Sequence, residues 1–152
     1  QGQGDKMATG LNARIAAALH TRLNTLVLTP VHQIAWENKP YTRVIGTPFL
    51  APAFLPNRTD FGAVGTNAPR RHRGLYQVLV YGAENVGEVP GIEIGDRIVE
   101  HFTPGSVIAE ESVRVRIGSF DGSVGVGYLS NAFNEDGWRI TPVTIPWWCD
   151  TF

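Results

Sequence analysis

Two prolines in the last long apolar segment constrain this chain more than any other feature. Pro142 and Pro146 lie four residues apart in Trp138-Arg-Ile-Thr-Pro-Val-Thr-Ile-Pro-Trp-Trp148, which otherwise reads as a strand. Residues of equal parity direct their backbone N–H groups to the same lateral side, so both missing donors fall on one side. That side cannot carry a full ladder, and the segment is expected at a sheet edge or paired on one side only. Neighbours along a strand face opposite ways. Trp147, with Val143 and Ile145, is therefore expected in the core. Trp148 is expected on a partner-covered surface, because exposed edges are costly and aromatic residues anchor interfaces.

A second strand is plain in Gly74-Leu-Tyr-Gln-Val-Leu-Val-Tyr81. Only Gln77 is clearly polar, so both faces are expected to be covered and the strand central. Upstream, Leu11, Ile15, Ala18, Leu19, Arg22 and Leu26 recur at steps of three and four. They predict an amphipathic helix capped by Thr9 or Asn12, with Leu23 widening the stripe. Ile34 to Asn38 reads as a short strand. Phe49 to Leu55 is apolar and extended, with Pro48, Pro52 and Pro56 demoting it to an edge or bulged strand.

Asn57 to Arg73 looks irregular: it holds Asp60, Gly62, Gly65, Asn67 and Pro69, then the basic run Arg70-Arg-His-Arg73. A loop of this length in a compact domain is usually functional or disordered. Ile92, Ile94, Ile98, Val99 and Phe102 mark a short second helix. Val113, Val115 and Ile117 alternate with Arg114 and Arg116 as a half-buried strand, and Val124, Val126 and Tyr128 continue the β pattern. Strands cluster after helices instead of alternating with them, which predicts an α+β fold. The expected form is a mainly antiparallel sheet with two helices packed on one face and a long β-hairpin-like loop. Residues 7–152 read as a single domain. Met7 looks like a native start behind a cloning scar at residues 1–6, the alternative being a genuine polar arm.

At 152 residues the chain is long enough to bury a core, and 43% hydrophobic against 18% charged content is that of a globular protein. A formal net charge of −1 implies no global steering towards nucleic acid. No apolar run approaches the roughly 18 residues of a membrane helix. The first residues lack the apolar core of a secretory leader. The single cysteine, Cys149, excludes an internal disulfide and fits a reducing compartment.

The possible chemical motifs are weak. Gly122-Ser-Val-Gly-Val-Gly127 leads into Tyr128-Leu-Ser-Asn131 and not into a helix, so it reads as a hairpin or interface loop and not a phosphate loop. His20, His32, His72 and His101 have no metal-ligand spacing. His101, near a helix C-terminus, suits the macrodipole there. The pairs Glu110-Glu111 and Asp96/Glu100 read as solvated charge, and no Gly-x-Ser-x-Gly elbow exists. Asn57-Arg-Thr59 is a sequon of the kind chance supplies. No catalytic residue, cofactor or metal is expected. The candidate interface residues are Asp60, Phe61, Arg70, Arg71, His72, Arg73 and Trp148. The basic run lacks interleaved aromatics for base stacking, which favours a protein interface over nucleic acid.

Three segments in this order carry a family resemblance: Arg73 to Tyr81, the helix ending Asp96-Arg-Ile-Val-Glu-His-Phe102, and Asp136 to Pro146. Trp36-Glu-Asn38 and Gly46-Thr-Pro48 add to them. Together they resemble the tail terminator (tail completion) proteins of long-tailed bacteriophages, from the first helix to Asp150. Gly82-Ala83 departs from the pattern, where a proline-containing turn is expected. The resemblance implies a structural virion protein with no catalytic residues. It implies a homo-oligomeric ring, a hexamer, on the head-proximal end of the tail tube. Its partners would be itself, the tail tube protein and a head-completion or connector protein, with weak contact to DNA passing through the channel. It would sit in the neck of the virion, assembled in the host cytoplasm. Two other readings stay open: another head–tail connector or tail tube component, and a small ligand-binding α+β domain using Arg114, Arg116 and Glu110.

Overall fold

The computed structural model describes residues 10–61, 70–110, 112–118 and 126–151. Helix α1 (Leu11–Asn24) buries Ile15, Ala18, Leu19 and Leu23, the stripe expected from its period. Its N-cap is Gly10 in extended conformation, not Asn12; Thr9 lies outside the described residues. The helix stops at Asn24 and Thr25, and Leu26 already bonds back to Leu23 O over a shortened turn. Helix α2 (Val89–His101) enters through Pro90, which the first turn tolerates because its N–H would have no helical partner.

Eight strands form one sheet among the described residues: β1 (Gln33–Ile34), β2 (Phe49–Phe61), β3 (Arg70–Ala83), β4 (Val107–Glu110), β5 (Val113–Ile117), β6 (Tyr128–Leu129), β7 (Phe133–Glu135) and β8 (Trp138–Thr151). The path runs β1-β2-β3-β8-β5-β4, with β6 and β7 also pairing β8. All pairings are antiparallel except β1 with β2, so the α+β class holds and the sheet is mixed. Ile34 to Asn38 is strand only at its first residue, since β1 ends at Ile34 and Asn38 takes a left-handed φ of 61°.

β2 behaves as its prolines require. It pairs β3 along its length, meets β1 only at Phe49 and Leu50, and shifts register between Pro56 and Arg58. The basic run Arg70–Arg73 is not loop: it is the first turn of residues in β3, held between β2 and β8. The stretch Asn57–Arg73 is therefore mostly hairpin arm, and residues 62–69 between the arms lie outside the described residues.

The edge expectation for the last strand is overturned. β8 pairs β3 over Trp138–Thr151 on one side and is tiled on the other by β7, β6 and β5. The tiles pair residues 138–140, 143–144 and 147–148. The two gaps contain Pro142 and Pro146. Their carbonyls point into this side, accepting from Ser130 N and Gly118 N at 2.9 Å each. Both missing donors therefore do share one lateral side, and the second ladder breaks where each falls.

The sheet separates two cores. On the first face lie Tyr76, Val78, Val143, Ile145, Trp147 and Cys149, beneath α1 and α2. Both helices pack on this face, as expected. Arg22 at the end of α1 forks onto His101 O at the end of α2 (3.1 and 2.8 Å), and His101 Nε2 bonds Arg22 O in return (2.8 Å). Arg22 thus caps a carbonyl that the helix leaves open. Burial chiefly, with the Arg22 charge, lowers the pKa of His101, which weakens it as a cation at its own helix end. The second face carries Phe49, Tyr81, Trp138 and Ile140, with Ala35 and Tyr41 packed against them. Arg43 lies over the Tyr81 ring at 4.8 Å.

Candidate assembly interface

Among the described residues, no helix packs on the second face beyond the aromatic cluster. Strand register orders it row by row. Leu55, Leu75 and Pro146 align across β2, β3 and β8; Arg73 and Trp148 align in a further row; Arg71 and Asp150 form the next. Leu55 and Leu75 are 42% and 37% exposed, which is high for paired leucines in the middle of a sheet. Tyr128, opposite Thr144, and Phe133, opposite Ile140, are exposed on this face too.

At the far end of these strands the chemistry turns cationic. Arg71 holds Asp150 with two parallel bonds, Nε–Oδ1 at 2.6 Å and Nη2–Oδ2 at 2.7 Å. Its guanidinium also lies 4.7 Å from the Trp148 ring centre, and that of Arg116 lies 5.3 Å away. Trp148 is half-buried and carries two cations, an arrangement that fixes the indole plane and the guanidinium forks together. Trp147 points the other way, 1% exposed, stacked on Phe54 at 5.3 Å.

The seven sequence-derived candidates meet at this end of the sheet but divide between its faces. Arg71, Arg73 and Trp148 share the second face, and Asp60 pairs Arg71 in register. Arg70 and His72 alternate to the first face, with Phe61 opposite Arg70. The side chains of Asp60 and Phe61 lie outside the described residues. His72 bonds Thr59 across the strands at 2.8 Å, and its pKa is lowered by burial and by the Arg70 charge. Asp150 was missed by sequence reading, and Arg116 was named there only for a ligand cleft and not for this interface. Asp150 becomes visible only once β3 and β8 are set in register, and Arg116 only once β5 is placed beside Trp148.

The cavities beside β4 and at the start of α2 are not lined by Arg114 or Arg116, and the side chain of Glu110 lies outside the described residues. The cavity nearest β4, about 220 Å³, is lined by Thr21, Arg22, Thr25 and residues 106–109. A larger one of about 290 Å³, by the start of α2, is lined by groups such as Pro30, Pro48, Tyr81, Pro90, Ile94 and Arg139. Among the described residues no group of His, Cys, Asp and Glu is placed to hold a metal ion. No helix among them is long and apolar enough to cross a membrane.

A family model described as "Phage tail terminator protein" matches residues 14–147. The chain belongs to the phage tail terminator family. The chain is thus a structural protein of the phage tail. The match runs from α1 to the Trp147 end of β8, so it takes in the bare face and most of its cationic end. Eight solved chains match the fold. One is 21% identical, with a TM-score of 0.71 over 94% of this chain and 98% of that chain. At that identity the likeness is one of fold. No curated protein matches the sequence.

Proposed function

We propose that this chain caps the head-proximal end of the tail tube as a ring, ends tube polymerisation and joins the tail to the head connector. The observation that carries the reading is the family match over residues 14–147. The fold supplies what such a role needs. A helix-covered face and a sheet face lie back to back, and unlike faces can form heterologous contacts, which close into a ring when the rotation between copies closes. In the assembled neck its partners are further copies of itself in a hexamer, the tail tube protein on one rim and a head-completion protein on the other. DNA passing through the channel makes weak, non-specific contact at most, since the formal net charge is −1. Assembly takes place in the host cytoplasm before the virion is complete.

The test is tube growth in vitro. Purified tail tube protein is polymerised with and without the chain, and lengths are measured by electron microscopy. Tubes capped at one end that stop growing support the reading. Tubes that lengthen undisturbed, with the chain bound only to connector protein, would assign it to another component of the head–tail connector.

A further inference from the structure

We propose that the bare half of the sheet's second face docks the outer face of α2 from a second copy of this chain. The inference rests on the ring reading above and goes past it by naming the two surfaces. The first surface has an apolar middle, Leu55, Leu75 and Tyr128, all exposed, and a cationic end. There Arg71 is matched by Asp150, while β5 adds Arg114, exposed, and Arg116, half-buried beside Trp148. The second surface has the complementary make-up. Val89 and Ile92 are exposed along α2, and Glu93, Asp96 and Glu100 continue the same side at steps of three and four. Glu88 precedes them, and Arg97 is the single opposing charge on the exposed side of the helix.

An apolar strip continued by cations thus faces outward on one side of the molecule. An apolar strip continued by carboxylates faces outward on the other. Leu55 with Leu75 would meet Val89 with Ile92, and Arg114 with Arg116 would meet Asp96 with Glu100. Such a pairing buries apolar surface at its centre and sets opposite charges at its rim, which fixes orientation and rejects the face-to-face alternative by like-charge repulsion. Because the two surfaces differ, the contact is heterologous, and it propagates from copy to copy until a ring closes.

The test uses two full-length variants, Leu75→Cys and Ile92→Cys, both at exposed positions, with the buried native Cys149 common to both. The two are mixed and treated with a short bis-maleimide. The expected result is a cross-linked dimer in the mixture and not in either variant alone. Adding Arg114→Glu with Arg116→Glu to the first chain should weaken association about tenfold or more, and Asp96→Lys with Glu100→Lys in the second should restore it. Sedimentation of the unmodified chain separates the two ideas. If it assembles while the mixture fails to cross-link, or while Leu75→Cys cross-links to itself, this contact is wrong and the ring stands. If it remains a monomer both alone and at tube ends, the ring and this contact fall together.

Discussion

The indole of Trp147 occupies the space that a side chain on Gly74 would need. The two residues are directly paired between β3 and β8. A Cβ at residue 74 would lie 2.7 Å from Trp147 Cζ2 and 2.5 Å from the carbonyl oxygen of Leu55. The glycine therefore leaves room for the largest buried side chain against the central strand, and β2 approaches from the opposite edge. The same device recurs under α2, where a Cβ on Gly95 would lie 2.6 Å from Leu129 Cδ2.

Gly74→Ala should accordingly be destabilising by about 1–3 kcal/mol, as overpacking usually is. Two of its clashes, with Leu55 O and Pro56 Cα, are with backbone, which cannot rotate away. Gly82→Ala, where a Cβ would meet only Arg139 O at 3.8 Å, is the control and should be close to neutral. Urea unfolding of both variants checks this.

The two adjacent tryptophans should separate sharply on truncation. Trp147→Ala opens a cavity beside Phe54 and Gly74 and should cost about 3–5 kcal/mol. Trp148→Ala loses a half-buried ring and its two cation contacts, each worth about 0.5–2 kcal/mol. It should cost clearly less in the monomer and should weaken self-association. Equal destabilisation with unchanged association would contradict the division of the two rings between core and interface.

Central strands were more legible in the sequence than their surroundings. The alternation of Leu75 to Tyr81 and the helical stripe from Ile15 to Leu23 report local burial, which is a property of each segment alone. Parity also placed the missing donors of Pro142 and Pro146 correctly on one side. The edge inference failed because β6 and β7 have only two and three residues, too few to show a period. β7 pairs ahead of Pro142 and β6 between the two prolines, so the ladder survives in pieces. Arg70 to Arg73 reads as loop because charged residues have weak β-propensity, and only pairing on both sides makes them strand. The Arg71–Asp150 bond spans 79 positions and depends on register, which no local pattern encodes.

That bond should add little to stability. The side chains of Arg71 and Asp150 are 32% and 26% accessible, so solvent screens them. A double-mutant cycle with Arg71→Ala and Asp150→Ala should give a coupling of about 1 kcal/mol or less. The loss of Arg71 should show instead in association, through the freed Trp148 ring.

Stability should fall on mild acidification. His20, His72 and His101 all have lowered pKa values, with burial the first cause in each. The unfolded chain, with histidines near 6.5, then binds more protons than the folded one. Their contribution is complete above about pH 6.5 and is lost as pH falls towards the folded values. His20 bonds Tyr76 Oη at 2.7 Å and packs against Trp36. His20→Gln should flatten part of the slope between pH 7 and 5, followed by urea midpoints.

The most direct measurement of the central claim is the mass of the particle this chain forms at the end of a tail tube, by native mass spectrometry of capped tubes after tube disassembly. The account predicts a closed homo-oligomer, a hexamer, released from one end of each tube. A monomer, or no chain at either end, would contradict it.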